Sequence, residues 1–162
     1  MQLDWEQVVI DKRAVMADDS SLLEEWRWLI PNDSEAMLPT ACGDVFLHLP
    51  DGSIAFLDTY KGSCATVASN YEEWKAMLND RLQLEAWFRG GLIGDLLEAG
   101  LTRQPGQCFS PLVPQILSGS WEPSNFDACD LLIHLSMLGQ IHRQVKDLPE
   151  GTKIDGFYTE EK

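Results

Sequence analysis

The 162-residue chain carries 26 acidic side chains against 12 basic ones, a net charge of −14, with 44% hydrophobic residues. That hydrophobic content excludes disorder along the whole length. A chain of this size buries roughly two thirds of its unfolded surface, so a core needs neither metal nor disulfide. The charge excludes a surface for phosphate backbones or anionic lipid, which draw their affinity from Lys and Arg. It favours solubility and the approach of a basic protein. Residues 1–80 hold 15 acids and 5 bases, while residues 81–162 hold 11 and 7. The densest run is Asp18, Asp19, Glu24, Glu25, Asp33 and Glu35, relieved by Arg27.

The N-terminus has no basic stretch followed by an apolar core, and no apolar run approaches the ~18 residues of a membrane span. Cys42, Cys64, Cys108 and Cys129 form no C-x-x-C pair, and His48, His134 and His142 stand at no zinc-ligand spacing from them. The expectation is a cytoplasmic protein with free thiols and no metal.

In chain order, residues 1–20 read as a weak helix or ordered arm. Ser21-Leu22-Leu23-Glu24 reads as a capping box that opens a helix, with Leu22, Leu23, Trp26, Leu29 and Ile30 inward and Pro31 ending it. Glu24, Glu25, Arg27 and Trp28 then fall mostly on its other side. Trp28 lies about 200° around the helix from Trp26, where an exposed Trp beside acids has the composition of an interface anchor and packing on the arm is the other reading. Asp44–Leu49, Pro50-Asp51-Gly52 and Ser53–Asp58 read as strand, turn, strand. A third strand, Cys64–Ala68, completes an antiparallel meander, with large apolar groups on both faces. Helices follow at Asn70–Leu78, Asp80–Phe88 and Leu92–Ala99, broken by Gly90-Gly91 and closed by Gly100. Residues 102–125 are a Gly/Pro/Ser-rich connection, the place for a sub-boundary, with a short strand near Gln115–Leu117 and Trp121 open to the same two readings as Trp28. Phe126–Leu135 reads as one or two strands, and Ser136 caps a helix to about Asp147. A polar tail occupies 156–162. The order implies an α+β domain over 21–155, a small and mostly antiparallel sheet with helices packed on it.

No catalytic constellation emerges. Gly90-Gly91-Leu92-Ile93-Gly94 lacks the lysine and the glycine spacing of a phosphate loop. His134 sits in an apolar run, as a core histidine does. Gln140, His142 and Arg143 fall on the more polar side of the last helix, a solvated face. No cysteine has a base and an electropositive surround beside it. The reading is a non-enzyme with no cofactor and no catalytic residue.

Three stretches carry a resemblance: Gly43-Asp-Val-Phe-Leu with Pro50-Asp-Gly-Ser-Ile-Ala-Phe-Leu-Asp58, then Val67-Ala-Ser-Asn-Tyr-Glu-Glu-Trp74, then Ile133 through Ile154. Together they resemble the bacterial GAD-like and type VI secretion immunity-protein C-terminal family, and more weakly the SUKH-type immunity folds. Some members of the first neutralise a co-encoded DNase effector. The resemblance implies an immunity protein that binds a cognate toxin and occludes a basic groove, with no catalytic residue to transfer. The alternative is a non-catalytic regulatory or housekeeping binding module of the same fold. The expected partner-binding residues are Asp18, Asp19, Glu24, Glu25, Trp28, Asp33 and Glu35, facing a basic toxin, with no nucleic acid or membrane as partner.

Overall fold

A computed structural model describes residues 2–156. From residue 157 on, the expected polar tail lies outside the described residues. Four strands, β1 (Glu35–Pro39), β2 (Val45–His48), β3 (Ile54–Asp58) and β4 (Ser63–Ala68), pair in sequence order as an antiparallel meander. A second hairpin joins β5 (Gln107–Pro111) to β6 (Phe126–Asp130). Helices α1 (Trp5–Val8), α2 (Asp19–Leu23), α3 (Tyr71–Met77), α4 (Arg81–Phe88), α5 (Gly90–Glu98) and α6 (Leu131–Val145) complete an α+β architecture.

The alternation read in β2 holds. Val45 and Leu47 join Trp26, Leu22, Leu23, Leu131, Leu135 and Leu138 on one face of the meander. Phe46, between them, points to the other face, with Trp74, Trp87 and Phe88. The Phe46 ring meets Trp87 edge-on at 5.1 Å and Trp74 at 5.2 Å. A buried aromatic ring contributes roughly 1.5–3 kcal/mol by leaving water, and such ring pairs add to it. A third apolar cluster, Tyr60, Ile93, Leu96, Phe109 and Phe126, welds α5 to the second hairpin.

Several sequence expectations give way to local chemistry. The helix expected from Ser21 begins at Asp19, because the Asp18 carboxylate caps it by accepting the Ser21 amide at 2.8 Å. It tightens into a single 3₁₀ turn at Glu24–Trp26 rather than running to Pro31. Strand β1 carries too little alternation to announce itself; it forms because β2 offers an open edge. The strand expected at Gln115–Leu117 is a 3₁₀ turn, and the strand of that connection lies earlier, at β5. Only Phe126–Asp130 is extended where strands reached to Leu135, and α6 starts at Leu131 without waiting for Ser136. The N-terminal arm is ordered. Ile10 is buried, its amide reaches Pro39 O at 2.9 Å, and the Arg103 guanidinium donates to the carbonyls of Glu6 and Val9 at 2.9 and 2.8 Å.

Helix α6 is seated by two histidines on two glycine turns. The His134 ring lies against Gly43, which has φ +86°, and His142 lies against Gly62, with φ +67°. A Cβ at Gly43 would overlap the His134 ring, whereas one at Gly52, with φ +88°, meets nothing within 4 Å. The pair separates strain from clash. Gly52→Ala should cost about 1 kcal/mol from the left-handed backbone alone. Gly43→Ala should cost about 3 kcal/mol, because overpacking against His134 adds to the same strain. Urea denaturation of the two variants checks this, and equal costs would show that the His134 contact carries no weight.

Candidate functional site

The acidic run divides between surface and interior. Asp18 is exposed, and the Ser21 amide and hydroxyl bonded to it hold its carboxyl below the usual range. Asp19 is half-buried, paired with Lys12 at 2.7 Å, and accepts the Ala36 amide at 3.2 Å, so it ties α2 to β1. Glu24 is exposed. Glu25, expected on the polar side, is buried under α6, with Arg143 at 3.6 Å. The tightened turn brings this about, since the main chain of Glu25 crosses α6 where Gly139 leaves room for its carbonyl. Trp28 is half-buried. Its indole N–H donates to Glu25 O at 2.8 Å, and its ring stacks on Trp26 at 6.0 Å. Two indoles expected on different sides of one helix therefore share a side, because the chain leaves α geometry between them. Asp33, exposed with φ 59°, turns the chain, and exposed Glu35 opens β1 opposite His48. At the surface, the run amounts to Asp18, Glu24, Asp33 and Glu35, with Trp28 partly exposed and Asp19 and Glu25 serving as ties within the chain.

A second charged group was not read from the sequence. Asp44 precedes β2 and is fully buried; Asp58 ends β3 and is nearly so. Arg89, held at φ 53° in the single-residue link between α4 and α5, reaches both, with Nε 3.2 Å from Asp44 and Nη2 3.2 Å from Asp58. The guanidinium also lies 4.7 Å from the Tyr60 ring and 5.2 Å from the Trp121 ring. Trp121 is thus a half-open cover over Arg89. Asp44 also accepts the Thr59 amide at 2.8 Å and its hydroxyl at 3.0 Å. Burial pushes the Asp44 carboxyl up to about 7, against the pull of Arg89. Burial draws Arg89 down, but the two carboxylates outweigh it and leave its pKa raised. The available signal was an aspartate at each end of an otherwise apolar strand pair, and an arginine just before Gly90-Gly91.

The histidines belong to the same interior. His134 is fully buried between the Thr59 hydroxyl, 3.1 Å away, and the Ser110 hydroxyl, 2.8 Å away, and burial pushes its pKa down to about 3. His142, expected on a solvated face, is 4% exposed and bonds Thr59 O at 2.9 Å. Gln140 beside it is also buried. Burial raises the thiol pKa of all four cysteines, which keeps them protonated rather than nucleophilic. Among the described residues, no three of His, Cys, Asp and Glu gather in a metal-holding group, and no helix is long and apolar enough to cross a membrane.

With this geometry in place, comparison with known proteins adds three findings. Residues 68–142 match the family described as T6SS immunity protein Tdi1, C-terminal. That stretch runs from the end of β4 to His142 and includes Arg89, Trp121 and His134. The match covers 75 of the 162 residues, just under half of the chain. The chain is also similar in fold to the crystal structure of Atu4351 from Agrobacterium tumefaciens, with TM-score 0.51 and 15% sequence identity over 75% of this chain and 62% of that one. The chain therefore spans less than two thirds of that protein's length. No curated protein matches the sequence.

The buried groups make opposite demands on pH. Below about 6.5 the unfolded chain takes up a proton that folded His134 declines down to about 3, so this contribution falls as pH falls. Folded Asp44 holds its proton up to about 7, whereas the unfolded group loses it near 3.8, so that contribution falls as pH rises. Between about pH 4 and 6.5 the two slopes oppose each other. Asp44→Asn should unmask the histidine. Its urea midpoint should drop on acidification more steeply than that of the wild type, by up to about 1.4 kcal/mol per pH unit. Parallel pH profiles would show that Asp44 does not titrate in this window.

Proposed function

We propose that this chain is a type VI secretion immunity protein that binds and neutralises a cognate effector in the cytoplasm of the producing cell. The effector is a nuclease, and its basic substrate groove is occluded by an acidic surface. The match of residues 68–142 to the immunity family carries the reading. The charge supports it, since a nuclease groove shaped for phosphate is positive and a partner of net charge −14 is drawn to it. Six cations, Lys12, Arg13, Lys75, Arg89, Arg143 and Lys146, are already matched to carboxylates within the chain, which leaves the surface field negative. Neutralisation of this kind needs shape and potential, with no bond made or broken. Asp18, Glu24, Asp33, Glu35 and Trp28 make up the proposed contact patch, with Asp19 and Glu25 as ties within the chain.

The test is co-expression with each candidate effector encoded by a neighbouring gene, followed by binding of the purified pair. The expected result is rescue from toxicity and a stable complex. The patch is tested with Asp18→Asn, Glu24→Lys, Asp33→Asn and Glu35→Lys combined. Asparagine keeps the α2 cap at 18 and accepts the left-handed backbone at 33. This raises the net charge from −14 to −8. Association at low salt should slow about ten-fold or more, and the difference should shrink at high salt. An unchanged association rate would remove these residues from the contact surface.

A further inference from the structure

We propose that the groove between α1, α4 and α5 seats an amphipathic basic segment of the effector, a contact separate from the acidic run; this rests on the immunity reading above. The groove has a volume of about 1290 Å³. That exceeds the roughly 300–1,000 Å³ of small-molecule pockets and matches about three turns of α-helix. Two large apolar side chains stand unburied at its rim, Leu82 at 83% exposure and Trp5 at 47%. Trp5 is not mobile decoration: its ring packs edge-on against Phe88 at 5.2 Å. Three glycines interrupt the α5 wall, and the Glu85 carboxylate covers the first two, Gly90 and Gly91. Gly94 lines the groove from α5, and a Cβ built there meets nothing within 4 Å. A partner main chain can therefore approach α5 closely.

The charge of the rim selects the occupant. Glu85, Asp95 and Glu98 line the groove against a single guanidinium, Arg81. The Glu85 carboxylate accepts the Gly91 amide at 3.0 Å, which fixes it at the start of α5, while Asp95 and Glu98 are exposed along the same helix. Apolar anchors rimmed by carboxylates fit a segment that alternates Leu- or Phe-like side chains with Lys or Arg, laid helix-in-groove. Phe88 at the base belongs to the Phe46 face of the meander, whereas the acidic run packs with Trp26 on the opposite face. The effector would thus be held from both layers of the fold.

The experiment measures binding of the full chain to the candidate effector of the co-expression test, for wild type, Gly94→Leu, and Asp95→Lys combined with Glu98→Lys. Position 94 is helical with open space around it, so Gly94→Leu should leave Tm unchanged or raised, and its side chain fills the groove. Both variants should bind at least about ten-fold more weakly, the charge variant with a deficit that shrinks at high salt. If wild type binds and both variants bind equally well, the groove is not the seat and the immunity reading stands. If wild type does not bind the effector at all, both fall. Sedimentation supplies the remaining outcome: a wild-type dimer dissociated by Gly94→Leu would assign the groove to a second copy of the chain and overturn the proposal.

Discussion

Asp44 and Asp58 sit at the ends of the two central strands, in an interior where an unpaired carboxylate is costly, and Arg89 is what makes that placement tenable. The one-residue link between α4 and α5 gives Arg89 its left-handed backbone and aims its guanidinium back at the sheet. Removing one partner of such a buried group typically costs 3–5 kcal/mol, because the charge left behind is uncompensated. The same guanidinium lies against Tyr60, whose hydroxyl bonds Cys42 O at 2.8 Å and Phe109 O at 3.2 Å, so one junction ties the meander, the α4–α5 corner and the second hairpin. Helix α6 then closes the fold from the other side. Its two histidines meet the chain at Thr59, the residue next to Asp58.

Much of this was legible in the sequence wherever a local rule and the global packing agreed. Pro50-Asp51-Gly52 between alternating apolar runs gave the β2–β3 hairpin, and the assignment of Val45 and Leu47 to one face and Phe46 to the other followed from period two. Asn70 and Asp80 each cap the helix they precede. The failures share a cause. At Leu131–Leu135 an apolar run has no period to separate a buried helix from a buried strand, and only its packing under Trp26 decides. At β1 the neighbouring strand supplies the order.

The charged residues were harder to read, because a composition rich in acids hides which ones are structural. Glu25 looks like its neighbour Glu24 in sequence, yet one is buried beneath α6 and the other faces water. That difference arises from a single 3₁₀ turn, which no residue count reveals. The same turn brings Trp28 onto Trp26 and converts a free-standing indole into a braced one. A braced, partly exposed Trp loses little side-chain entropy when a partner covers it, which is the property an interface anchor needs. The groove at Trp5 and Leu82 shows the same economy, with glycines in place of side chains along one wall.

The account holds that this protein acts by pressing preformed acidic surfaces, one on each layer, against a basic effector. Hydroxyl-radical footprinting of exposed side chains, with and without the effector proposed as partner, tests that most directly. Trp28, Trp5 and Leu82 should lose reactivity in the complex, while the exposed Leu112, Ile116 and Trp121 of the second hairpin's loop keep theirs. Protection confined to that loop, with Trp28, Trp5 and Leu82 as reactive as in the free protein, would contradict the account.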